Sequence, residues 1–481
     1  METELVGRQE EQAELALARD SGRAELIAIY GRRRIGKTFL VRHFYAPQLC
    51  FELTGQRDAT LTQQLAAFAA SLNARTRYRH SPPPNWPAAF AELVRYLDEQ
   101  LRAGARKVVF IDELPWLAGR RSGFLPAFEH FWNSWASRQK NLIVVICGSA
   151  ASWMIAKILH QKGGLHNRVT RSIALQPFRL SETDAFLRSR GVRLERQQIL
   201  ELTMATGGIP YYLDYVRKGR SAAQNIDAMF FVPNAPLHDE FDKLFAALFE
   251  HHERHIKVIR ALARKATGLQ RQELVAMAKL ASGGNLTTIL DELEASGFVQ
   301  RIVPFGRTAR DTLYRLVDEF TLFHLRWRSG KRELTAGAGQ WQRFRSSPAW
   351  QAWAGYAFEN LCIKHVPQIK QALGIAGVET EAASWRYRPA AADERGAQID
   401  LLIDRRDGII NVCEMKYSDT EFIVDKQYAQ ELRNKLNVFR RVTATRKSLF
   451  LTMVTTHGVA ANSHSSELVQ NIIHAEALFA V

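Results

Sequence analysis

Short apolar runs rich in β-branched residues punctuate the first part of the chain: ELIAIY within 24–45, Arg106–Ile111 and Asn141–Gly148. Runs of this kind, apolar at consecutive positions, predict strands buried on both faces of a parallel sheet. Between them, 59–75 and 88–105 carry helical spacing, and SPPPNWP at 81–87 breaks the two apart. Strands alternating with helices predict an α/β domain over residues 1–180. From Ser181 the pattern turns helical, predicting a small lid over 181–235 that closes on the linker VPNAP at 232–236. Over 236–345, three short helical segments (255–265, 271–280 and 285–296) precede FVQRIVPF and DTLYRLV, a two-stranded wing, and a Trp- and Arg-rich connector fills 326–350. Residues 346–481 predict a second α/β domain. It has a helix over 351–373, strands QIDLLID, IINVCEMKY and SLFLTMV, and a helix over 425–441. No internal repeat interrupts this order.

Composition narrows the class. Hydrophobic residues make up 46% and charged residues 24% of 481 residues, enough apolar surface for folded cores and against intrinsic disorder. No apolar run approaches the roughly 18–20 residues of a membrane helix, and METELVGRQEEQ has no signal-peptide pattern. Cys50, Cys147, Cys362 and Cys413 are too scattered for a zinc site or a disulfide framework, so a cytoplasmic protein with buried thiols and no membrane partner is expected. The net charge of +16 is regional. Residues 1–200 carry 29 Lys and Arg against 18 Asp and Glu, whereas 351–481 carry 15 of each. A basic excess of this kind points to nucleic acid.

The chemistry is most explicit at Gly31–Thr38, GRRRIGKT, between a predicted strand and a predicted helix. Glycines let backbone N–H groups face phosphate oxygens at a helix N-terminus. The loop residues Gly31, Arg32, Arg33, Arg34, Ile35 and Gly36, followed by Phe39, would frame the phosphates. Lys37 would reach the β- and γ-phosphates, and Thr38 would offer its hydroxyl to Mg²⁺. KVVFIDE at 107–113 ends a strand with Asp112, a second Mg²⁺ group, and Glu113, placed to activate the attacking water. Ser149 at the end of the next strand is a candidate γ-phosphate sensor, its alternative role being a helix cap. Arg168 is a candidate arginine finger or an ordinary surface arginine.

VGRQEE at 6–11, GRRRIGKT, FIDELPWL, GSAASWM, the Arg168 loop, LQPFRLSE and TGGIPYYL together resemble a bacterial and archaeal family of ATPases. The family belongs to the P-loop group of signal-transduction ATPases with numerous domains (STAND), related to AAA+ proteins. The resemblance implies ATP as the nucleotide, Gly7 and Arg8 bordering the adenine pocket, and Pro210 contacting nucleotide from the lid. The chain departs from that pattern at Gly164 and Asn167, which leaves the role of Arg168 open.

Residues 255–317 resemble a winged helix. Asn285, Thr287 and Thr288 would then face bases and Arg301, Arg307 and Arg310 phosphates, the alternative being a winged helix docked within the chain as a spacer. In the last domain, the alternation of QIDLLIDRRDGIINVCEMKYS puts Glu414 and Lys416 on one strand face, with Asp400 on the neighbouring strand. Two carboxylates on adjacent strands suit Mg²⁺, or Mn²⁺ in its place. Lys416 would act on the nucleophile, Glu359 on the preceding helix would complete the ligand set, and Gln427 and Tyr428 would support the lysine. This pattern resembles the PD-(D/E)XK, restriction-endonuclease-like superfamily. His251, His252 and His255 are read as a helix cap or solvated face rather than a metal site. The sequence thus predicts a P-loop ATPase with helical lid, winged helix and nuclease-like domain, an ATP-controlled, metal-dependent nuclease, with defence against foreign DNA as its setting. Its partners would be DNA before RNA, a second copy of itself and a protein trigger. The alternative is an ATP-switched DNA-binding regulator whose last domain does not cut.

Overall fold

The computed structural model describes residues 4–481 apart from 103, 120, 161–164, 166, 282, 330–338 and 390–394. Gly164 and the middle of the connector therefore lie outside the described residues. The chain forms two compact units: Met1–Pro177 with Ala295–Gly297, and Phe178–Glu294 with Phe298–Val481.

The first unit is built on five strands: β1 (Glu25–Tyr30), β2 (Leu49–Thr54), β3 (Lys107–Asp112), β4 (Leu142–Gly148) and β5 (Arg171–Ala174), in the order β2-β3-β4-β1-β5. Every pairing in this sheet is parallel. Parallel neighbours cannot be joined by a tight turn, so helices return the chain across the faces. The central β4 is buried at every position, as its unbroken apolar run requires. On one face a cluster of rings fills the core, with Trp86 and Phe124 edge to face at 4.7 Å. SPPPNWP, expected only as a break, also starts a helix: the Asn85 side chain accepts from the Ala88 N–H, and Pro87 sits in the first turn of Trp86–Leu101. Because the strands run the same way, the loops after β1, β3 and β4 open on one edge of the sheet, where open α/β sheets bind ligands.

The second unit begins with the helices Leu180–Ser189, Arg196–Thr206 and Pro210–Leu213. Three further helices, His252–Leu262, Arg271–Ala278 and Gly284–Ala295, accompany a small antiparallel sheet of β6 (Leu269–Gln270), β7 (Val299–Ile302) and β8 (Leu313–Leu316) in the order β6-β8-β7. The last sheet holds β9 (Thr380–Tyr387), β10 (Ala397–Arg405), β11 (Ile409–Lys416), β12 (Ser448–Thr455) and β13 (Asn471–His474). Its order is β13-β12-β11-β10-β9, with β9–β11 antiparallel and β11–β13 parallel. The helix expected over 351–373 is two, Pro348–Lys364 and Val366–Ala372. Pro367 has no N–H to continue the ladder, and the chain bends at His365.

His365 fixes that bend. Its Nδ1 contacts the Leu361 carbonyl at 2.7 Å, and its Nε2 accepts from the Leu180 N–H at 3.3 Å, a pattern that only the neutral ring satisfies. Burial pushes its pKa down to about 4. The unfolded chain, with an ordinary histidine pKa near 6.5, therefore takes up the proton first. The stability held above that pH is lost as pH falls through 6.5 toward 4. His365→Gln is expected to flatten this limb in thermal melts between pH 4 and 7, and an unchanged limb would refute the assignment.

Candidate functional site

The phosphate loop leaves β1 through Gly31, whose φ of +143° and surroundings admit no side chain, since a Cβ there would stand 2.3 Å from the Leu175 carbonyl oxygen. Arg34 and Gly36 also take left-handed conformations, turning the loop into the helix Lys37–Phe44. Ile35 is buried, and Phe39 stacks on His43 one turn later. Arg8, itself left-handed and only 4% exposed, donates to the Ile35 carbonyl at 3.0 Å and the Gln176 carbonyl at 2.5 Å. Gly7, expected with it at the adenine pocket, is also left-handed and accepts from the Gln12 side chain. The structure thus gives Arg8 a task that spacing did not reveal: it braces the phosphate loop through the Ile35 carbonyl.

Lys37 is buried, and its ammonium donates to the Gly31 carbonyl at 3.0 Å, the Arg32 carbonyl at 2.9 Å and the Ser149 hydroxyl at 3.0 Å. The Ser149 hydroxyl in turn donates to Glu113 at 2.5 Å, and its N–H to the other Glu113 oxygen at 3.1 Å. Thr38 donates to Asp112 at 2.6 Å, and Asp112 accepts the Glu113 N–H at 2.9 Å. Glu113 itself holds a left-handed backbone, φ 49°, at the sharp turn out of β3. Beside it, a side chain on Gly55 would stand 2.5 Å from the Glu113 carbonyl oxygen. Five of the expected residues (Lys37, Thr38, Asp112, Glu113 and Ser149) therefore converge from three loops. The Thr38 hydroxyl and Asp112 carboxylate form an oxygen pair suited to Mg²⁺.

Arg168 is exposed, in the turn after left-handed Asn167, where its N–H bonds the Leu165 carbonyl. Pro210 belongs to the second unit. It opens a short helix after Gly207 and Gly208, and the Gly208 carbonyl accepts the Phe178 N–H at 2.9 Å.

In the C-terminal sheet, the antiparallel ladder pairs Leu401 with Cys413, so Asp400 lies one residue further along, level with Glu414. Glu414 is buried in β11 and fully engaged. Lys416 stands 3.1 Å and the Tyr428 hydroxyl 2.7 Å from one oxygen, and Lys435 stands 2.7 Å from the other. These cations, Lys435 before Lys416, hold its pKa below the ordinary carboxylate value against the cost of burial. The Lys416 ammonium also sits over the Tyr428 ring at 4.9 Å, whereas Gln427 is exposed. Glu359 faces the same place. Burial first, then the Asp400 charge, pushes its pKa up to about 8. Asp400 accepts from Gln398 at 2.7 Å. Among the described residues no three His, Cys, Asp or Glu side chains converge closely enough to share one metal ion, so the expected three-carboxylate set is not closed in this arrangement. Lys435 was not among the expected residues. It lies on the helix Lys426–Thr443, twenty-one positions from Glu414, and no local spacing marks it.

Two other groups resolve. His255 is held by Glu292 at 2.6 Å and stacks on Phe249, so it serves packing. Arg301, expected at phosphates, is instead ion-paired with Asp291 and Glu294 of the helix Gly284–Ala295, while Thr287 accepts from Arg271 and Thr288 bonds back to Gly284. All four cysteines are free and buried. No helix among the described residues is long and apolar enough to cross a membrane.

Residues 5–216 match a family described as an ATPase domain predominantly from Archaea. An uncharacterized protein of Methanocaldococcus jannaschii is 23% identical over 442 residues, covering 90% of this chain and 91% of its own. Among solved structures, a Walker-type ATPase of Pyrococcus abyssi is similar at 18% identity and a TM-score of 0.49, covering 67% of this chain and 96% of its own. The Aeropyrum pernix ORC2 protein, in ADPNP–ADP complexes, is similar at 18% identity and a TM-score of 0.41, covering 67% and 93%. The family match supports the P-loop ATPase reading of residues 5–216, with ATP as the nucleotide.

Lys37→Ala is expected to weaken ATP binding by at least about 10-fold, and Glu113→Gln to keep binding while slowing hydrolysis about 100-fold or more. Isothermal titration and single-turnover hydrolysis check both. Wild-type hydrolysis in Glu113→Gln would remove Glu113 from the chemistry.

Proposed function

We propose that this protein is an ATP-binding and ATP-hydrolysing switch whose second unit cleaves phosphodiester bonds of nucleic acid, DNA before RNA. On the ATPase side, Lys37 would leave its loop carbonyls for the β- and γ-phosphates, and Thr38 and Asp112 would hold Mg²⁺, which would offset charge on the phosphate oxygens. Glu113 then activates water, with Ser149 between Glu113 and Lys37 registering whether the γ-phosphate is present. Arg168, exposed, serves a second copy of the chain in trans. The helices at 255–295 with their wing act as a winged helix, and a protein partner triggers the switch. Defence against foreign nucleic acid is the setting we infer, by analogy with the resembled ATPase group.

One observation carries the phosphodiesterase reading: a buried carboxylate, Glu414, shares a strand face with Lys416 while Asp400 lies level with it on β10. The donor chemistry fits a hard divalent ion, because these are carboxylate oxygens, and Glu359, its pKa raised first by burial and then by the Asp400 charge, stands among like charges that a cation would relieve. Asp400 and Glu414, with Glu359, would hold Mg²⁺ or Mn²⁺, which would supply Lewis acidity at the phosphate. Lys416 would orient the attacking water and offset charge on the phosphoryl oxygens.

A second reading has its own observation. Lys435 occupies the outer Glu414 oxygen, and no three-carboxylate cluster is closed among the described residues, as in a domain that binds without cutting.

Supercoiled and linear DNA incubated with Mg²⁺ or Mn²⁺, with and without ATP, separates the two. Asp400→Asn and Lys416→Ala are each expected to reduce cutting by at least about 100-fold. Variants that cut like wild type would refute the site. Salt-dependent binding without cutting under any nucleotide would select the second reading.

A further inference from the structure

The loop between β7 and β8 folds back onto the C-terminal sheet. The Phe305 N–H donates to the Ser384 carbonyl of β9 at 2.8 Å, and the Phe305 ring packs on Phe439 with centroids 5.5 Å apart. Beside this contact lies a cleft with a cavity of about 390 Å³, lined by the β7–β8 loop, by β9 and by Asp400.

The charges in the cleft are unevenly satisfied. Lys265 and Glu273 neutralise each other at 2.7 Å, and Asp311 is spent on the turn at Thr308. Arg307 from the loop, with Arg386 and Arg388 two apart on β9, also line the cleft. Among the described residues none of these three guanidinium groups makes a hydrogen bond or ion pair. Burial, then the like charge of Arg388, lowers the pKa of Arg386. Deeper in, Arg315 is 3% exposed and its Nε has no hydrogen-bond partner, while its Nη2 stands 3.8 Å from Glu359. Guanidiniums thus line the cleft from both the loop and β9, with Arg315 nearest the carboxylates.

We propose that this cleft binds the phosphodiester backbone of a single nucleic-acid strand, passing it along Arg388 and Arg386 of β9, with Arg307 on the facing wall, toward Asp400. The proposal rests on the phosphodiesterase reading of the Asp400, Glu414 and Lys416 site and names how its substrate arrives. Guanidiniums match phosphate oxygens with paired N–H donors, so each of the three gains charge-assisted hydrogen bonds that it now lacks. Of the two rings lining the cleft, Trp385 is buried and the half-buried Tyr387 already stacks against it with centroids 6.5 Å apart, so recognition goes through phosphates with weak base preference. The cavity lies near the lower end of the about 300–1,000 Å³ typical of small-ligand pockets, which suits a strand and not a duplex. Arg301, locked on its own helix, takes no part; of the arginines that the winged-helix resemblance put at phosphates, Arg307 is the one that lines this cleft.

The test uses the full chain in EDTA, so that nothing is cut, and the anisotropy of a labelled oligothymidylate of about 12 nucleotides. Arg386→Gln with Arg388→Gln is expected to weaken binding at least about 10-fold and to reduce the log–log salt slope by about 1.4, roughly 0.7 for each lost phosphate contact. Arg307→Gln, on the other wall, should reduce the slope by about 0.7. Unfolding midpoints and basal ATP turnover of these variants should match wild type. Unchanged affinity and slope in correctly folded variants overturn the proposal, as does a duplex competing as well as the single strand. Arginine-dependent binding by a protein that never cuts with Mg²⁺ or Mn²⁺ defeats only the phosphodiesterase reading. Cutting that persists alongside arginine-independent binding defeats only the cleft.

Discussion

A lysine ammonium removed from water must be met on every side by oxygen, and the nucleotide site is organised around that requirement. Lys37 satisfies it with two carbonyls of its own loop and with Ser149 at the end of β4. Ser149 is bound to Glu113 at the end of β3, so one buried cation ties together the loops after three strands. An unpaired charge at this depth would cost several kcal/mol, so the loops are held in register by electrostatics as much as by packing. On the proposed function, phosphate oxygens would compete for the Lys37 donors, and any bond Lys37 gave up would alter the partners of Ser149 and Glu113.

The second unit answers the same physical demand with the opposite sign. Glu414 is a carboxylate inside an apolar strand, compensated by two lysines and a tyrosine hydroxyl. A fully compensated carboxylate stays ionised at neutral pH, which is what a ligand for a divalent cation requires. Its neighbour Glu359, with less compensation and the Asp400 charge beside it, holds its proton to a far higher pH. Two carboxylates from one site are thereby pushed apart in acidity by their surroundings.

The charge excess takes on structure in this light. Counting residues along the chain makes the last domain neutral, yet neutrality of a sum says nothing of where charges stand. Many of its acidic and basic groups are paired with each other, such as Arg405 with Asp407 and Lys447 with Asp404. Arg386 and Arg388 have no such partner among the described residues, and the β7–β8 loop adds Arg307 to the same cleft.

The sequence by itself determined the local features: the long buried strands, the phosphate loop, the Asp112–Glu113 pair at a strand end, and the alternation that puts Glu414 and Lys416 on one face. Each depends on neighbours in the chain, through strand period, glycine conformation or the apolar run that buries a strand. The short or edge strands β2, β5, β6, β9 and β13 left no such mark, because an edge strand is half solvated and its pattern is mixed. The break at His365 is written in Pro367, which cannot continue the helical ladder. Only the tertiary structure decided that Arg8 braces the phosphate loop, that Ser149 joins Lys37 to Glu113, that Lys435 reaches Glu414, and that Arg301 is spent on its own helix. Those pairings join residues up to 168 positions apart. Their partners are chosen by burial and by which charges the fold leaves unpaired, and neither quantity exists before the chain is folded.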